Sequence, residues 1–170
     1  MNENKILIRQ FNDKDFEDLY RLRNDFETQY LLNTHPRPNT RQNFFSWIEK
    51  KTCSENGLFF VISNEEEKTI GYIQATNMDF INRFCYAGIA ILPEWRMKGV
   101  FKIVMNLFET YIIKTYNIKK IIVEIRSDNN VSLNAFKSQG FNIVGEYNSH
   151  YYFSGKFYSV TILEKHIIYE

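Results

Sequence analysis

A basic corner around Gly99 is the segment of this chain whose residue types are best suited to chemistry. Arg96, Lys98 and Lys102 flank that glycine, and the residues that follow are apolar at every third or fourth position. This spacing predicts an amphipathic helix that begins near Met97 or Lys98. A helix begins with unpaired backbone N–H groups and a partial positive charge, which together attract anions. The corner therefore predicts a site for a diphosphate, although a purely structural turn accounts for the same spacing equally well.

The elements that position this corner are a strand before it and a strand after the helix. Residues 83–92 and 120–125 are apolar enough to form strands, and they enclose the helix in the sequence. A strand, a helix and a strand in this order form a crossover whose two strands run parallel. The corner then lies at the carboxyl end of the first strand, where ligands of α/β sheets commonly bind.

The other elements are predicted from periodicity, capping residues and turn residues. They are a strand at residues 5–11, a helix capped by Asn12 or Asp13 and ending near Asn24, a loop at residues 25–39 interrupted by Pro36 and Pro38, a helix capped by Thr40 and ending near Cys53, a hairpin of strands 58–63 and 69–77, a short helix capped by Asn129 or Asn130 and stopped at Gly140, and a closing hairpin through Ser154 and Gly155. This order predicts the α/β class.

Length and composition favour one globular domain over residues 1–170. Apolar residues make up 44% of the chain and charged residues 24%, which is typical of a folded protein. The net charge of +1 gives no electrostatic basis for binding nucleic acid. The start, MNENKILIRQ, is too polar for a secretory signal, and no segment has the roughly 20 apolar residues of a membrane span. We therefore expect a cytoplasmic protein that does not enter a membrane.

The cysteine and histidine residues predict neither a disulfide nor a metal site. Cys53 and Cys85 fall in different predicted elements, so free thiols in a reducing compartment are the simplest interpretation. His35, His150 and His166 are scattered and lack the paired spacing of metal ligands. We expect no metal.

Three segments resemble the GNAT superfamily of N-acetyltransferases. The sequence ILPEWRMKGV at residues 91–100 is similar to the acetyl-CoA motif of that family, in which a strand ending in Pro-Glu leads into Arg or Gln and a glycine-containing turn. The sequence VEIRSDN at residues 123–129, followed by Ala135-Phe136 and Gly140-Phe141, resembles the next strand and helix of the family. The sequence HYYFSGKFYSVTILEK at residues 150–165 resembles the closing hairpin of the branch that contains ribosomal-protein alanine, spermidine and sugar-amine acetyltransferases.

The resemblance implies the GNAT (acyl-CoA N-acyltransferase) fold, with a mixed central sheet of about six or seven strands and helices on both faces. It also implies acetyl-CoA as the co-substrate. Backbone N–H groups would polarise the thioester carbonyl at a bulge in the strand, with which Gly88 is consistent. Phe101 replaces a small residue that in the family lets the cofactor lie close to the helix. The implied acetyl-CoA contacts are Ile89, Ala90, Ile91, Arg96, Met97, Lys98, Gly99, Val100, Phe101, Lys102, Asn129 and Phe136.

The implied reaction is a direct attack of an amine on the thioester. A lysine-like amine has a pKa of about 10.4, so about one molecule in a thousand is neutral near pH 7 and a base would assist. Glu124 is the candidate base, because the matching glutamate has that role in some relatives. The alternative is a strand residue that faces solvent or pairs with Arg126. Phe136 replaces the tyrosine that protonates the leaving thiolate in many relatives, and Tyr151, Tyr158 or water could substitute for it.

In the family, the first two helices and the loop between them form one wall of the acceptor pocket. The implied substrate contacts are Asn24, Tyr30 and Trp47, with His35 and Phe45 as further candidates. Tyr86 stands where this branch often has Glu, and Gln74 stands where spermidine acetyltransferase has an acid. Because a polycationic acceptor needs carboxylates, these two positions argue against a polyamine substrate.

Three functions remain open from the sequence. The first is an N-acetyltransferase that acts on an amino sugar, a protein N-terminus or another small amine. The second is a binding module that keeps the CoA fold but has lost turnover, which Phe101, Phe136 and the missing strand glutamate at Tyr86 would explain. The third is a structural or interaction protein of this fold, for which the basic corner has no ligand. The aromatic-rich C-terminal strands would favour a homodimer, because their edges need cover.

Overall fold

The computed structural model describes residues 5–34 and 36–167, and a seven-stranded mixed sheet is the centre of the described fold. The strands are β1 (Leu7–Arg9), β2 (Leu58–Ser63), β3 (Thr69–Asp79), β4 (Phe84–Ile91), β5 (Lys120–Arg126), β6 (Asn142–Phe153) and β7 (Lys156–His166). Their order across the sheet is β1-β2-β3-β4-β5-β7-β6. The sheet therefore places β4 and β5 side by side near its middle.

The pair β4–β5 is parallel, and the other neighbouring pairs of this sheet are antiparallel. Helix α4 (Val100–Tyr116) connects the two parallel strands. The crossover that the sequence predicts is thus confirmed, and so are the hairpins β2–β3 and β6–β7.

Helices cover both faces of the sheet. On one face, α1 (Phe16–Asn24) and α3 (Arg41–Thr52) bury Leu19, Leu22, Phe44 and Ile48 against the sheet. On the other face, α4 packs Val104, Phe108 and Ile112 into the larger core, which α5 (Asn130–Ser138) joins through Leu133 and Phe136. The alternation of side chains along a strand produces this division, because residues two apart share a face. The structure confirms the predicted α/β class, with a mixed sheet of seven strands and helices on both faces.

One helix lies where the sequence predicts a loop. Helix α2 spans Phe26–Leu31, and Asp25 caps it by accepting a hydrogen bond from the Thr28 N–H at 2.8 Å. Gln29 holds the following segment, because its side-chain amide donates to the Arg37 carbonyl and accepts from the Arg37 N–H. The loop prediction was wrong for these six residues because so short a helix has little periodicity and is stabilised by tertiary contacts.

Helix α4 begins at Val100, two or three residues later than its apolar spacing predicts. Met97 and Gly99 have φ angles of 59° and 75°, which lie in the left-handed region. A right-handed helix cannot include such residues, so it begins after the second of them.

The sheet opens between β4 and β5. Phe84–Tyr86 pair with Lys120–Ile122, and the pairing stops there. Beyond that point β4 remains paired with β3 as far as Ile91, and β5 remains paired with β7 as far as Arg126. The register of β4 against β3 has no shift near Gly88, so divergence of the two strands, rather than a bulge at that glycine, produces the gap.

Candidate active site

A cleft of about 1240 Å³ occupies the gap between β4 and β5. Its walls come from the diverging parts of both strands, the start of α4, the α5 segment and the chain around α2. Among the predicted cofactor residues, all except Lys98 and Lys102 line this cleft: Ile89, Ala90, Ile91, Arg96, Met97, Gly99, Val100, Phe101, Asn129 and Phe136. The structure therefore gathers two segments that are distant in sequence around one opening.

The start of α4 leaves backbone donors exposed at this cleft. Gly99 is the N-cap residue, and a Cβ atom built on it would meet no other atom within 4 Å. Among the described residues, no backbone carbonyl accepts a hydrogen bond from the N–H groups of Met97, Lys98 or Gly99. Open space in front of unpaired N–H groups at a helix start is the arrangement that accommodates a phosphate.

Arg96 connects this corner to α2 rather than extending freely toward an anion. Its Nε donates to the Ile91 carbonyl at 3.0 Å, and one Nη donates to Thr28 Oγ1 at 2.7 Å. The other Nη lies 3.4 Å from a Glu27 carboxylate oxygen. Lys98 places its ammonium group 5.4 Å from the Trp95 ring centroid, and Lys102 is exposed on α4. Arg96 therefore lines the cleft with its charge already engaged by α2, and Lys98 and Lys102 lie outside the lining.

The edge of β4 that faces β5 supplies a second set of backbone groups. From Ala87 to Ile91 this edge has no β5 partner, whereas the opposite edge is fully engaged with β3. The Ile91 carbonyl accepts from Arg96, and the other groups of this edge face the cleft. Unpaired N–H groups in such a position can hydrogen-bond a carbonyl oxygen on which negative charge develops.

Glu124 lies in the same cleft on β5. Val123 and Ile125 point into the core beside α4, so Glu124 projects to the opposite face, which α1 and α3 cover. Its side chain is exposed, and no ion pair within residues 5–34 and 36–167 includes it. Arg126 instead pairs with Asp128 at 2.8 Å. The proposed alternative in which Glu124 pairs with Arg126 is therefore not found.

The two aromatic residues that depart from the family pattern contact each other. The rings of Phe101 and Phe136 meet edge to face with centroids 4.8 Å apart, and Phe141 adds a similar contact to Phe136 at 5.0 Å. Phe136 is 5% exposed and still borders the cleft. Asn129, next to it, uses its side-chain oxygen to cap α5 by accepting from the Ser132 N–H at 3.1 Å. This side of the cleft is thus apolar and has no hydroxyl at position 136.

The hydroxyl groups suggested as replacements for the missing acid have other partners. Tyr151 donates to the Thr34 carbonyl, and Tyr158 lies against the Arg126 guanidinium, whose central carbon is 3.8 Å from the ring centroid. Neither tyrosine lines the cleft, whereas Tyr86 does.

The residues predicted to bind the acceptor have mainly structural contacts. Asn24 holds the chain at Asn39 through three hydrogen bonds, and Trp47 packs in the core against the Phe59 and Tyr72 rings. Tyr30 does not line the cleft; its hydroxyl lies 3.3 Å from Asp128, which does.

Tyr30 stays neutral over the physiological range, because burial raises the pKa of its hydroxyl to about 12. Phe45 is 50% exposed on α3, and His35 lies outside the described residues. Substrate contacts by any of these predicted residues stay a prediction.

Three polar residues that the sequence did not single out as substrate contacts line the same cleft as Glu124. They are Arg23, at the end of α1, Asn33, which follows α2 with a φ of 54°, and Gln74 on β3. Asn33 donates to the Glu124 carbonyl at 3.3 Å. Only Gln74 drew attention in the sequence, as a missing acid, and no local pattern marks the other two because tertiary packing alone brings them to the cleft.

The described residues contain no group of three or more His, Cys, Asp or Glu side chains that could hold a metal ion. In the same part of the chain, no helix has the length and apolar character needed to cross a membrane.

Comparison with known proteins identifies a family and several similar structures. The family model described as "Acetyltransferase (GNAT) domain" matches residues 5–142. A spermidine N(1)-acetyltransferase of Vibrio cholerae serotype O1 is 23% identical over 101 residues, which are 59% of this chain and 58% of that enzyme. The alignment therefore spans less than two thirds of the curated relative.

Solved structures extend the similarity to nearly the whole chain. The spermidine N-acetyltransferase of Vibrio cholerae in complex with CoA and spermine has a TM-score of 0.88 at 18% identity, with 95% of each chain covered. A dodecameric structure of a spermidine N-acetyltransferase from the same organism has a TM-score of 0.77 at 18% identity, covering 95% of this chain and 93% of that one. At these identities the likeness concerns the fold.

Proposed function

Because the chain belongs to the GNAT acetyltransferase family, whose members use acetyl-CoA, we propose that it transfers the acetyl group of acetyl-CoA to a primary amine. The observation that carries the proposal is the coincidence of three features in one cleft. These are the open start of α4, the unpaired edge of β4 and the free carboxylate of Glu124. An amino sugar, a protein N-terminus and another small amine are the acceptors under consideration.

Each feature has a task in a direct transfer. The N–H groups at residues 97–99 would hold the diphosphate, and the β4 edge would hydrogen-bond the thioester oxygen. Glu124 would take a proton from the attacking amine, directly or through water, as the C–N bond forms. The C–S bond then breaks and the sulfur leaves as a thiolate. A thiol has a pKa of about 8.5, so departure near neutral pH does not require an acid at Phe136.

A CoA-binding module without turnover is the second candidate. The contact between Phe101 and Phe136 favours it, because these two rings narrow the helix side of the cleft and provide no proton donor. Transfer of a radiolabelled acetyl group to a panel of amines separates the two functions. Labelled product supports the enzyme, whereas acetyl-CoA binding without product supports the module.

Thermal unfolding with and without acetyl-CoA tests the cofactor site. Ligand at a hundred times its dissociation constant should add about 2.7 kcal/mol to the free energy of unfolding. Gly99→Glu should abolish this gain, because it places a carboxylate and a side chain in the open space where the diphosphate would lie.

Gly155→Glu is the matched control for that variant. Gly155 also has a positive φ, 86°, and open space around its Cβ position, but it lies in the β6–β7 turn. Both variants therefore carry a similar backbone strain. Loss of the acetyl-CoA effect in Gly99→Glu alone supports the site, and equal effects in both variants, or no stabilisation of the unmodified protein, contradict it.

We also propose that a second copy of the chain covers the outer edge of β6. This strand ends the described sheet, and Ile143, Val144 and Tyr152 are 53%, 53% and 56% exposed on it. Exposed apolar strand edges favour pairing with another chain. Light scattering should give the mass of a dimer or a multiple of it, and Val144→Lys should lower that mass. Ile81→Lys, at a residue 91% exposed in the β3–β4 turn, is the control that should leave it unchanged.

A cytoplasmic location is the setting proposed for this activity. Cys53 and Cys85 are free in the described structure, and free thiols persist in a reducing compartment. Fractionation of the source cells tests the location directly.

A further inference from the structure

We infer that the amine acceptor carries an anionic group, a carboxylate or a phosphate, and that Arg23 binds this group while Asn33 and Gln74 receive the amine. The inference rests on the proposed acetyl transfer and names the substrate class for it. It excludes polyamines, which have no anionic group. The argument has three steps: the position of the residues, the amide oxygens without a donor and the cation without a carboxylate partner.

The relevant residues share one side of the sheet. Tyr72 packs among the α1 and α3 side chains, and Gln74 lies two residues further along β3, so both face α1 and α3. Glu124 projects to the same face from β5. The start of α4 packs on the opposite face. The cleft therefore passes through the sheet, with the proposed diphosphate site on one side and the candidate base on the other.

Two amide oxygens on this side have no hydrogen-bond donor. Asn33 Oδ1 and Gln74 Oε1 are buried, and no donor among the described residues reaches either atom. They belong to opposite walls: the Asn33 amide is tied to the Glu124 carbonyl on β5, whereas the Gln74 amide lies against Gly88 on β4. A buried acceptor without a donor is costly, so a ligand with several N–H groups fits between these walls. A primary amine has such groups, and Glu124 lines the same cleft.

The same side contains a cation without a carboxylate partner. Arg23 lines the cleft and lies over the Trp47 ring, with its guanidinium carbon 4.6 Å from the centroid. No Asp or Glu in the described part of the chain lies within ion-pair distance of Arg23 or Lys51. Burial lowers the pKa of Lys51, and the positive charge of Arg23 lowers it further, which places the two cations in each other's field.

An anionic group on the acceptor satisfies this arrangement. An arginine fork binds carboxylate and phosphate groups well, and stacking on Trp47 holds its plane in one orientation. Of the three described carboxylates that line the cleft, Glu27 is paired with Arg96 and Asp128 with Arg126, which leaves Glu124 for the amine. The further positive charges of a polyamine would meet Arg23 and Lys51 and would be repelled there. The side of the cleft that contains Arg23, Asn33 and Gln74 thus favours a zwitterionic or anionic amine over a polycation.

Matched pairs of amines test the inference and distinguish the two sources of negative charge. The phosphate pair is glucosamine 6-phosphate against glucosamine, and the carboxylate pair is lysine against cadaverine, with spermidine as the polycation. In at least one pair, the kcat/KM for acetyl transfer to the anionic amine should be at least about tenfold higher than the kcat/KM for its partner. Arg23→Gln should abolish that preference, whereas Arg21→Gln, which removes an exposed cation of the same helix, should preserve it.

Binding of the same compounds is measured by thermal unfolding, so the inference does not depend on turnover. The preferred anionic amine should stabilise the unmodified protein more than its neutral or cationic partner, and Arg23→Gln should remove the difference. Preference for spermidine, equal use of both members in both pairs, or a preference that survives Arg23→Gln overturns the inference. Selective binding of the anionic amine with no acetyl transfer keeps the inference about Arg23 and contradicts the proposed acetyltransferase.

Discussion

Substitution of Glu124 by Gln tests the proposed chemistry with little effect on the fold. The carboxylate is exposed in the cleft and has no ion pair among the described residues, so its loss should change the free energy of unfolding by less than about 0.5 kcal/mol. Removal of a general base typically lowers the rate by about 10²- to 10⁴-fold. We expect kcat/KM for the best amine to fall by that factor near pH 7.4.

The difference in kcat/KM between Glu124→Gln and the unmodified protein should become smaller as the pH rises. A lysine-like acceptor with a pKa of about 10.4 is neutral in about one molecule in a thousand at pH 7.4 and in about one in ten at pH 9.4. The variant depends on this neutral fraction, so its rate with such an acceptor should rise by up to about a hundredfold over the two pH units, whereas a protein N-terminus with a pKa of about 7.7–8.0 should give a rise of only about three- to fivefold. The unmodified protein should gain less, because Glu124 already accepts the proton.

The assay is continuous detection of the CoA thiol released, at saturating acetyl-CoA between pH 6.5 and 9.5. Glu55→Gln is the control, since Glu55 is an exposed carboxylate that does not line the cleft. If kcat/KM of Glu124→Gln stays within twofold of that of Glu55→Gln at every pH, Glu124 is not the base. The alternative, in which Glu124 is a strand residue that only faces solvent, is then correct.

Three further predictions concern the apolar wall and the fold. Phe136→Tyr should raise kcat by up to about tenfold below pH 8.5, where a proton donor assists a thiol with a pKa of about 8.5, and an unchanged pH profile would contradict this. A double-mutant cycle of Phe101→Leu and Phe136→Leu should give a coupling of about 0.5–1.5 kcal/mol in chemical unfolding, because the two rings meet edge to face, and additive effects would show that the contact is energetically neutral. Asp15→Asn should cost about 1.5–3 kcal/mol at pH 7, since it removes the buried carboxylate that accepts hydrogen bonds from the partly exposed Arg9 side chain. Burial alone would raise the pKa of Asp15, but hydrogen bonds from Arg9, Asn12 and Thr69 lower it below the ordinary value of 3.8. The stability lost in Asp15→Asn should therefore be complete above that pH and should disappear as the pH falls below it, and a difference that persists in strong acid would refute the assignment.

The parts of the fold that depend on local sequence were predictable. Thr40 caps α3, Asn129 caps α5, and Gly140 has a φ of 85° after that helix, as their residue types indicate. The crossover of β4, α4 and β5 follows from apolar segments of the right length. The motif at residues 91–100 indicates where β4 ends and α4 begins. These features depend on short-range sterics and periodicity, which a single sequence expresses directly.

The features that were not predictable arise from contacts between distant residues. Helix α2 is held by the Gln29 side chain at Arg37, and the gap between β4 and β5 results from the separate pairing of each strand with an outer neighbour. The contact of Phe101 with Phe136 joins two departures that seemed independent in the sequence. The cation of Arg23 and the unpaired oxygen of Asn33 become meaningful only when tertiary packing brings them to Glu124.

The measurement that tests the central claim most directly is transfer of a radiolabelled acetyl group from acetyl-CoA to an amine by the unmodified protein, with Gly99→Glu and Gly155→Glu assayed beside it. The account predicts labelled N-acetyl product from the unmodified protein and from Gly155→Glu, and loss of product in Gly99→Glu. Absence of product from every amine, or equal product from Gly99→Glu and Gly155→Glu, would contradict an acetyltransferase whose co-substrate binds at the start of α4.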